Sequence, residues 1–216
     1  MKKIIIGFIL LFTLVLTVLY CFMPRISYKL DDDEAYITDS IGIIKKLEIK
    51  DKYKEALITE VKERAFYKSN YLKEVILGEN IVECYKLSFA NCKMLENFTF
   101  NSKLVYPGNN MFKNDEKLKN VSIPADSRMI EISGSMFYGC ESLESISIPG
   151  SVLDISSLAF MNCTELREIT LYSSLESIME DAFFNTPLLE KINIIGNNEN
   201  YLNWIAIFKG KEISFI

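Results

Sequence analysis

The chain has 216 residues, 49% of them hydrophobic, and a formal net charge of -5; that suffices for one folded domain plus a membrane segment and makes two large domains a squeeze. Acidic and basic residues are mixed along most of its length, so no basic stripe tracks a phosphate backbone and nucleic acid is not an expected partner. Histidine is absent, which excludes Ser-His and Cys-His nucleophilic pairs, imidazole bases and His-bearing zinc sites together.

Residues 1–3 (Met1-Lys2-Lys3) precede an uninterrupted low-charge run from Ile4 to Met23. A helix of ~20 residues rises about 30 Å, the thickness of a hydrocarbon core, so residues 4–23 are expected to form one N-terminal transmembrane helix. A cleaved secretory signal is the rival, but its apolar region runs only ~7–15 residues and ends at a small-residue site; Val18-Leu19-Tyr20-Cys21-Phe22 offers none. A lipoprotein signal at Cys21 would need a small residue where Tyr20 stands. Lys2 and Lys3 outside one end of the span, against Asp31-Asp32-Asp33-Glu34 beyond the other, place residues 1–3 as a cytoplasmic tip and send the remainder across. Localisation at the cell membrane, single-pass with the following domain extracellular, is the expectation, or secretion if the segment is cut. Residues 24–41 read as an acidic juxtamembrane linker; calcium needs about 6–8 oxygens and no loop pattern supplies them.

Residues 42–64, with Ile43, Leu47, Ile49, Leu57, Ile58 and Val61 among many charges, read as a degenerate first repeat acting as a cap. From 65 to 196 the chain repeats itself six times. Phe66, Phe89, Phe112, Phe137, Phe160 and Phe183 recur at 23, 23, 25, 23 and 23 residues, and each is followed at offsets 6, 9 and 11 by apolar residues, as in Leu143, Ile146 and Ile148. Offsets 9 and 11 predict a short strand with alternate residues turned inward, the Phe and Leu filling the coil. Proline ends the strand at Pro124 and Pro149, and a further apolar pair such as Val152 and Ile155 closes the far wall. Each unit is too short to enclose its own core, so the units must stack. Residues 197–216, with Tyr201, Leu202, Trp204, Ile205, Ile207 and Phe208, read as a C-terminal cap or a sticky edge for self-association.

The stretch Met136-Phe137-Tyr138-Gly139-Cys140-Glu141-Ser142-Leu143-Glu144-Ser145-Ile146-Ser147-Ile148-Pro149, continued to Ala159-Phe160, closely resembles the BspA-like leucine-rich repeat, over about residues 56–196. The resemblance implies a leucine-rich repeat solenoid of mostly β and coil structure, curved, with one short parallel strand per ~23-residue repeat. It also implies a surface protein of the bacterial and protist kind that binds host or matrix proteins. Tyr106-Pro107-Gly108 is expected to interrupt the third far wall, and Asp115 and Thr186 depart from the pattern at the Cys position.

Residues between the inward strand positions should face a ligand: Asn97, Thr99, Asn120, Ser122, Ser145, Ser147, Glu168, Thr170, Tyr172, Lys191 and Asn193 form the candidate partner-binding face. Small hydroxyl and amide groups suit an extracellular protein or glycan; equally, they simply cover an exposed sheet face. At offset 7, Lys73, Glu96, Lys119, Glu144, Arg167 and Glu190 alternate in sign and predict pairing between adjacent rungs. Cys92, Cys140 and Cys163 share one repeat position and read as small buried spacers. Asn97, Asn120 and Asn162 begin glycosylation-type triplets. With no nucleophile-base pair, phosphate loop or metal cluster, no enzyme activity, cofactor or metal is expected. A membrane-anchored protein-binding or adhesion module is the leading expectation, and a structural envelope scaffold that self-associates through its carboxy-terminal edge is the alternative.

Overall fold

The computed structural model describes residues 23–197 and 199–216. The expected span 4–23 lies outside the described residues except for Met23, as do Cys21 and the cytoplasmic tip; among the described residues no helix is long and apolar enough to cross a membrane.

Five of the six aligned coils turn on a phenylalanine held between two left-handed backbone positions, and Phe183 has only the later one. Two residues before it stand Arg64, Leu87, Asn110, Ser135 and Leu158, and two residues after it Lys68, Asn91, Asn114, Gly139, Asn162 and Asn185, all with φ between 55° and 71°. Asparagine and glycine adopt this conformation at least cost, which explains their recurrence two residues after the Phe. The turns stack by backbone hydrogen bonds: the Phe66, Phe89, Phe112, Phe137 and Phe160 amides each donate to a carbonyl of the next coil.

The strand after each turn joins its neighbours in a first wall of two parallel sheets. Lys46–Glu48, Glu74–Ile76, Asn97–Thr99 and Asn120–Ser122 form one; Ser145–Ser147, Glu168–Tyr172, Lys191–Ile195 and Glu212–Phe215 form the other. Register keeps equivalent positions together, Val75 opposite Phe98, Phe98 opposite Val121, and Ile146 opposite Ile169 opposite Ile192. A second wall runs through Ala56–Val61, Glu83–Cys84 and Tyr106–Pro107, then through a separate sheet of Glu131–Ile132, Asp154–Ile155 and Ser177–Ile178. Both walls part on either side of residues 124–129, where the two extra residues of the repeat sit. Val121 and Ile123, the inward pair at that break, are half-buried where their counterparts in the other five aligned copies are buried.

The phenylalanine spine occupies the space between the walls. Ring centroids are 5.0 Å apart for Phe66 and Phe89, and 5.4, 5.2 and 5.1 Å along Phe112, Phe137, Phe160 and Phe183, with planes within 15°. Between Phe89 and Phe112 the spacing widens to 6.2 Å because Phe98 sets its edge against both rings, at 5.0 and 4.6 Å. Tyr106-Pro107-Gly108 departs from the repeat without interrupting the second wall, since Pro107 pairs with Cys84 in register. Gly108 is required there: a Cβ would lie 2.4 Å from the Tyr85 carbonyl carbon.

Residues 24–41, expected as a linker, are instead largely a β-hairpin. Arg25–Asp31 pairs antiparallel with Glu34–Ile41, which pairs in parallel with Ala56–Val61. The hydrophilic tetrad masked an alternating pattern: Asp32 takes the tight turn with φ 49°, while Ala35 and Ile37 are buried and Ile26 and Tyr28 pack on the core. This hairpin covers the second wall's first coil, and Lys46–Glu48 within 42–64 joins the first wall as a rung of its own. At the other end, 3-10 helices Glu199–Asn203 and Ile205–Phe208 bring Phe208 to 5.2 Å from Phe183 and bury Trp204, whose Nε1 donates to the Leu175 carbonyl at 2.9 Å. Strand Glu212–Phe215 then pairs in parallel with Lys191–Ile195.

A candidate ligand-binding face on the first wall

The eleven residues expected to face a ligand all lie on first-wall strands, because alternate residues of a strand point to opposite sides and their neighbours are turned inward. The structure separates them into two groups. In the last rungs the side chains satisfy one another: Glu168 Oε1 accepts from Lys191 Nζ at 3.1 Å and from Asn193 Nδ2, and Asn193 also reaches Thr170 Oγ1 at 3.4 Å. The Asn193 amide, followed by the Lys191 ammonium, holds the Glu168 carboxyl below the usual carboxylate range. Tyr172 lies over Gly150, where a Cβ would meet its ring at 3.0 Å.

The middle rungs are open. Thr99, Asn120, Ser122, Ser145 and Ser147 are exposed, and Asn97 is half-buried with its Oδ1 accepting from Asn120 Nδ2 at 2.7 Å. Among the described residues, Thr99, Ser122, Ser145 and Ser147 form no side-chain hydrogen bond with a neighbour. A shallow depression of about 250 Å³ lies here, lined by Asn97, Phe98, Thr99, Lys119, Asn120, Val121, Ser122 and Ser145. It bridges the break between the two first-wall sheets, so the repeat's two extra residues create it. Lys119, Phe98 and Val121 were not among the expected face residues; Val121 and Phe98 were assigned to the interior, where Phe98 stays buried, while Val121, on the strand at the break, is half-buried.

The charged row flanking this face pairs in part. Lys73 meets Glu96 at 3.4 Å and Lys119 meets Glu144 at 2.8 Å, but Arg167 turns back within its own coil to Glu165 at 2.9 Å, so the alternation gives separate pairs rather than a continuous ladder. The hydrogen bond and charge of Lys119 hold the Glu144 carboxyl below its ordinary value. Lys46–Glu74 at 2.8 Å adds a pair from a coil outside the six aligned copies.

The cysteines form part of the interior. Cys92, Cys140 and Cys163 are buried free thiols that donate to the carbonyls of Phe66, Phe112 and Phe137, at 3.1, 3.4 and 3.1 Å. Burial pushes the Cys163 and Cys84 thiols far above their ordinary range, so they do not act as nucleophiles near neutrality. Asp115 stands where those copies have Cys. Its Oδ1 accepts from the Cys92 amide at 2.7 Å, Oδ2 has no partner among the described residues, and burial raises its carboxyl well above the usual range. Among the described residues no three His, Cys, Asp or Glu side chains gather as a metal site.

Comparison with known proteins places this geometry. The solved structure of a leucine-rich repeat protein from T. pallidum superimposes with a TM-score of 0.70 at 19% identity, over 88% of this chain and 97% of that one. A leucine-rich cell surface protein from Faecalibacterium prausnitzii gives 0.50 at 16% identity, over 83% and 97%. A leucine-rich repeat protein from Eubacterium ventriosum gives 0.57 at 13%, over 87% of this chain and 50% of its own. At these identities the likeness is one of fold. No curated protein matches the chain in sequence. The profile of the BspA type leucine-rich repeat region matches six copies over residues 43–134 and 130–209, and the chain belongs to that family.

Proposed function

We propose that the chain is a membrane-anchored surface module that binds an extracellular protein or glycan through the open middle of its first wall, residues Asn97 to Ser147. The observation that carries this reading is the contrast along one face. Glu168, Thr170, Lys191 and Asn193 spend their hydrogen-bonding capacity on each other, whereas Thr99, Ser122 and Ser145 leave theirs directed outward over a depression and Ser147 stays open beside it. Hydroxyl groups both donate and accept, so such a strip matches backbone edges or sugar hydroxyls without requiring charge. The surface description of the Faecalibacterium relative and the apolar run at residues 4–23 support an extracellular location.

The test uses intact cells and purified full-length chain. Protease added to cells should remove the repeat domain, and Ser122→Arg/Ser145→Arg should abolish capture of the chain on arrays of matrix proteins and glycans while its Tm is unchanged. Capture that survives the two arginines would defeat the assignment of this face. A second reading, self-assembly, is favoured by one feature: strand Glu212–Phe215 ends the first wall with Leu202, Phe215 and Ile216 exposed beside it. A sedimentation coefficient that rises with concentration would support it, and a constant one would remove it.

A further inference from the structure

The second wall carries a surface of a different kind. On successive coils Val82, Val105, Ile130 and Leu153 occupy one outward row; the amides of Val105 and Leu153 donate to the carbonyls of Val82 and Ile130, at 3.0 and 2.9 Å. Val82, Ile130 and Leu153 are 38%, 43% and 37% exposed, large fractions for aliphatic side chains stacked one above another. One residue further along, Glu83, Glu131 and Asp154 form an acidic row that exposed Tyr106, after Val105, interrupts. Glu60 lies opposite Glu83 and Glu131 opposite Asp154 in parallel register. Neighbouring strands are about 4.8 Å apart, and like charges placed directly opposite are destabilising. Lys62 offsets Glu60, and Ser177 Oγ donates to Asp154, but among the described residues Glu83, Glu131 and Asp154 have no ion-pair partner. Lys103, two residues before Val105, turns to Asn80 Oδ1 at 3.1 Å instead.

We propose that this second wall docks a basic amphipathic helix of a partner protein, its apolar stripe on Val82 to Leu153 and its lysines or arginines against Glu83, Glu131 and Asp154. Spacing favours a helix. Within each of the two second-wall sheets, rungs of about 4.8 Å nearly match the pitch of about 5.4 Å, so apolar side chains one turn apart fall on Val82 and Val105, and again on Ile130 and Leu153 beyond the break. An extended segment repeats its side chains at about 6.7 Å and drifts out of step within three rungs. Charge disfavours a second copy seated face to face, because the same acidic row would face itself.

The probe is a fluorescein-labelled 18-residue synthetic helix with leucine at i, i+3, i+4 and i+7 spacing, flanked by lysines. It is titrated by anisotropy against the full chain in detergent micelles, with protein-free micelles as background. Saturable binding is expected, weakened at least tenfold by Ile130→Ser/Leu153→Ser and by Glu131→Gln/Asp154→Asn, and unchanged by Ser122→Arg on the opposite wall. The carboxylate pair leaves every apolar side chain in place, so it tests the surface even if the serine variant unfolds. Binding that is absent, or equal in wild type and the carboxylate variant, overturns the proposal. Equal binding of a probe with its leucines changed to serine also overturns it, since charge alone would then suffice. A concentration-dependent dimer lost in Ile130→Ser/Leu153→Ser would assign the row to a second copy and reject the helix.

Discussion

The four first-wall strands before the two-residue insertion and the four after it share one inward pattern and present opposite surfaces. After the insertion, spine rings stack within 11° from Phe137 to Phe183, and Glu168, Lys191 and Asn193 close the surface with their own hydrogen bonds. Before it, Phe98 wedges the spine apart to 6.2 Å, Asp115 replaces a buried thiol, and the outward hydroxyls near the break stay open. A stacked repeat is stabilised by nearest-neighbour contacts, so irregularity is tolerated where adjacent coils still cover the core. The irregular part of this molecule is therefore where the shallow depression lies.

The sharpest way to break that comparison is to damage the regular half. Phe160→Ala removes a ring stacked on both sides and should cost on the order of 3–5 kcal/mol through the cavity it leaves; chemical denaturation of the two proteins measures it. A variant as stable as wild type would mean that the ring does not bridge its coils. The irregular half should respond in the other direction. Asp115→Cys restores the thiol of the neighbouring copies and removes a buried oxygen without a partner, worth about 1–3 kcal/mol at neutral pH, but it also removes the acceptor of the Cys92 amide, so the net gain should be below that range. The gain depends on pH. Because the folded carboxyl titrates above its unfolded value of about 3.9, the folded state holds the extra proton in between, and wild-type stability falls as pH rises through that window. Unfolding free energies measured upward from pH 4 should therefore converge for the two proteins at the acid end and separate toward neutrality.

Much of this division is written in the residues. The Phe spacing and the apolar offsets fix coil length, inward faces and the 25-residue step that marks the insertion, because burial depends on periodicity alone. The hairpin at Arg25–Ile41 was hidden by charge: Asp31-Asp32-Asp33-Glu34 looks solvated, and it is, but as the turn between strands whose pattern is too short to stand out. The left-handed positions left a signal that periodicity misses, the recurrence of Asn91, Asn114, Gly139, Asn162 and Asn185 two residues after the spine Phe. Sign alternation at offset 7 was legible; that Arg167 prefers Glu165 was not, since side-chain choice between two nearby carboxylates depends on rotamer and distance. The depression required three dimensions, because it arises where two sheets part.

Two smaller perturbations sharpen the picture of the regular half. Leu158 carries φ 58°, a conformation that costs a branched side chain roughly 1–2 kcal/mol. Leu158→Gly should relieve part of this, leaving a net gain below about 1 kcal/mol after the unfolded chain's added freedom is counted; a loss instead would show that the half-buried leucine contributes more by packing than its backbone costs. The Lys119–Glu144 pair spans the break itself, joining the last strand before the insertion to the first after it. Glu144→Lys should lower the Tm slightly at low ionic strength, and the difference should vanish in high salt because the pair is exposed. Its pH signature runs opposite to that of Asp115. The depressed carboxyl contributes stability only above its unfolded value, so the deficit of the lysine variant should shrink as pH falls through about 4. Were the variant to rise in Tm at low salt, the pair would be no tie across the break, and the two halves would be held together by the spine and by backbone hydrogen bonds such as that of the Phe112 amide to Met136.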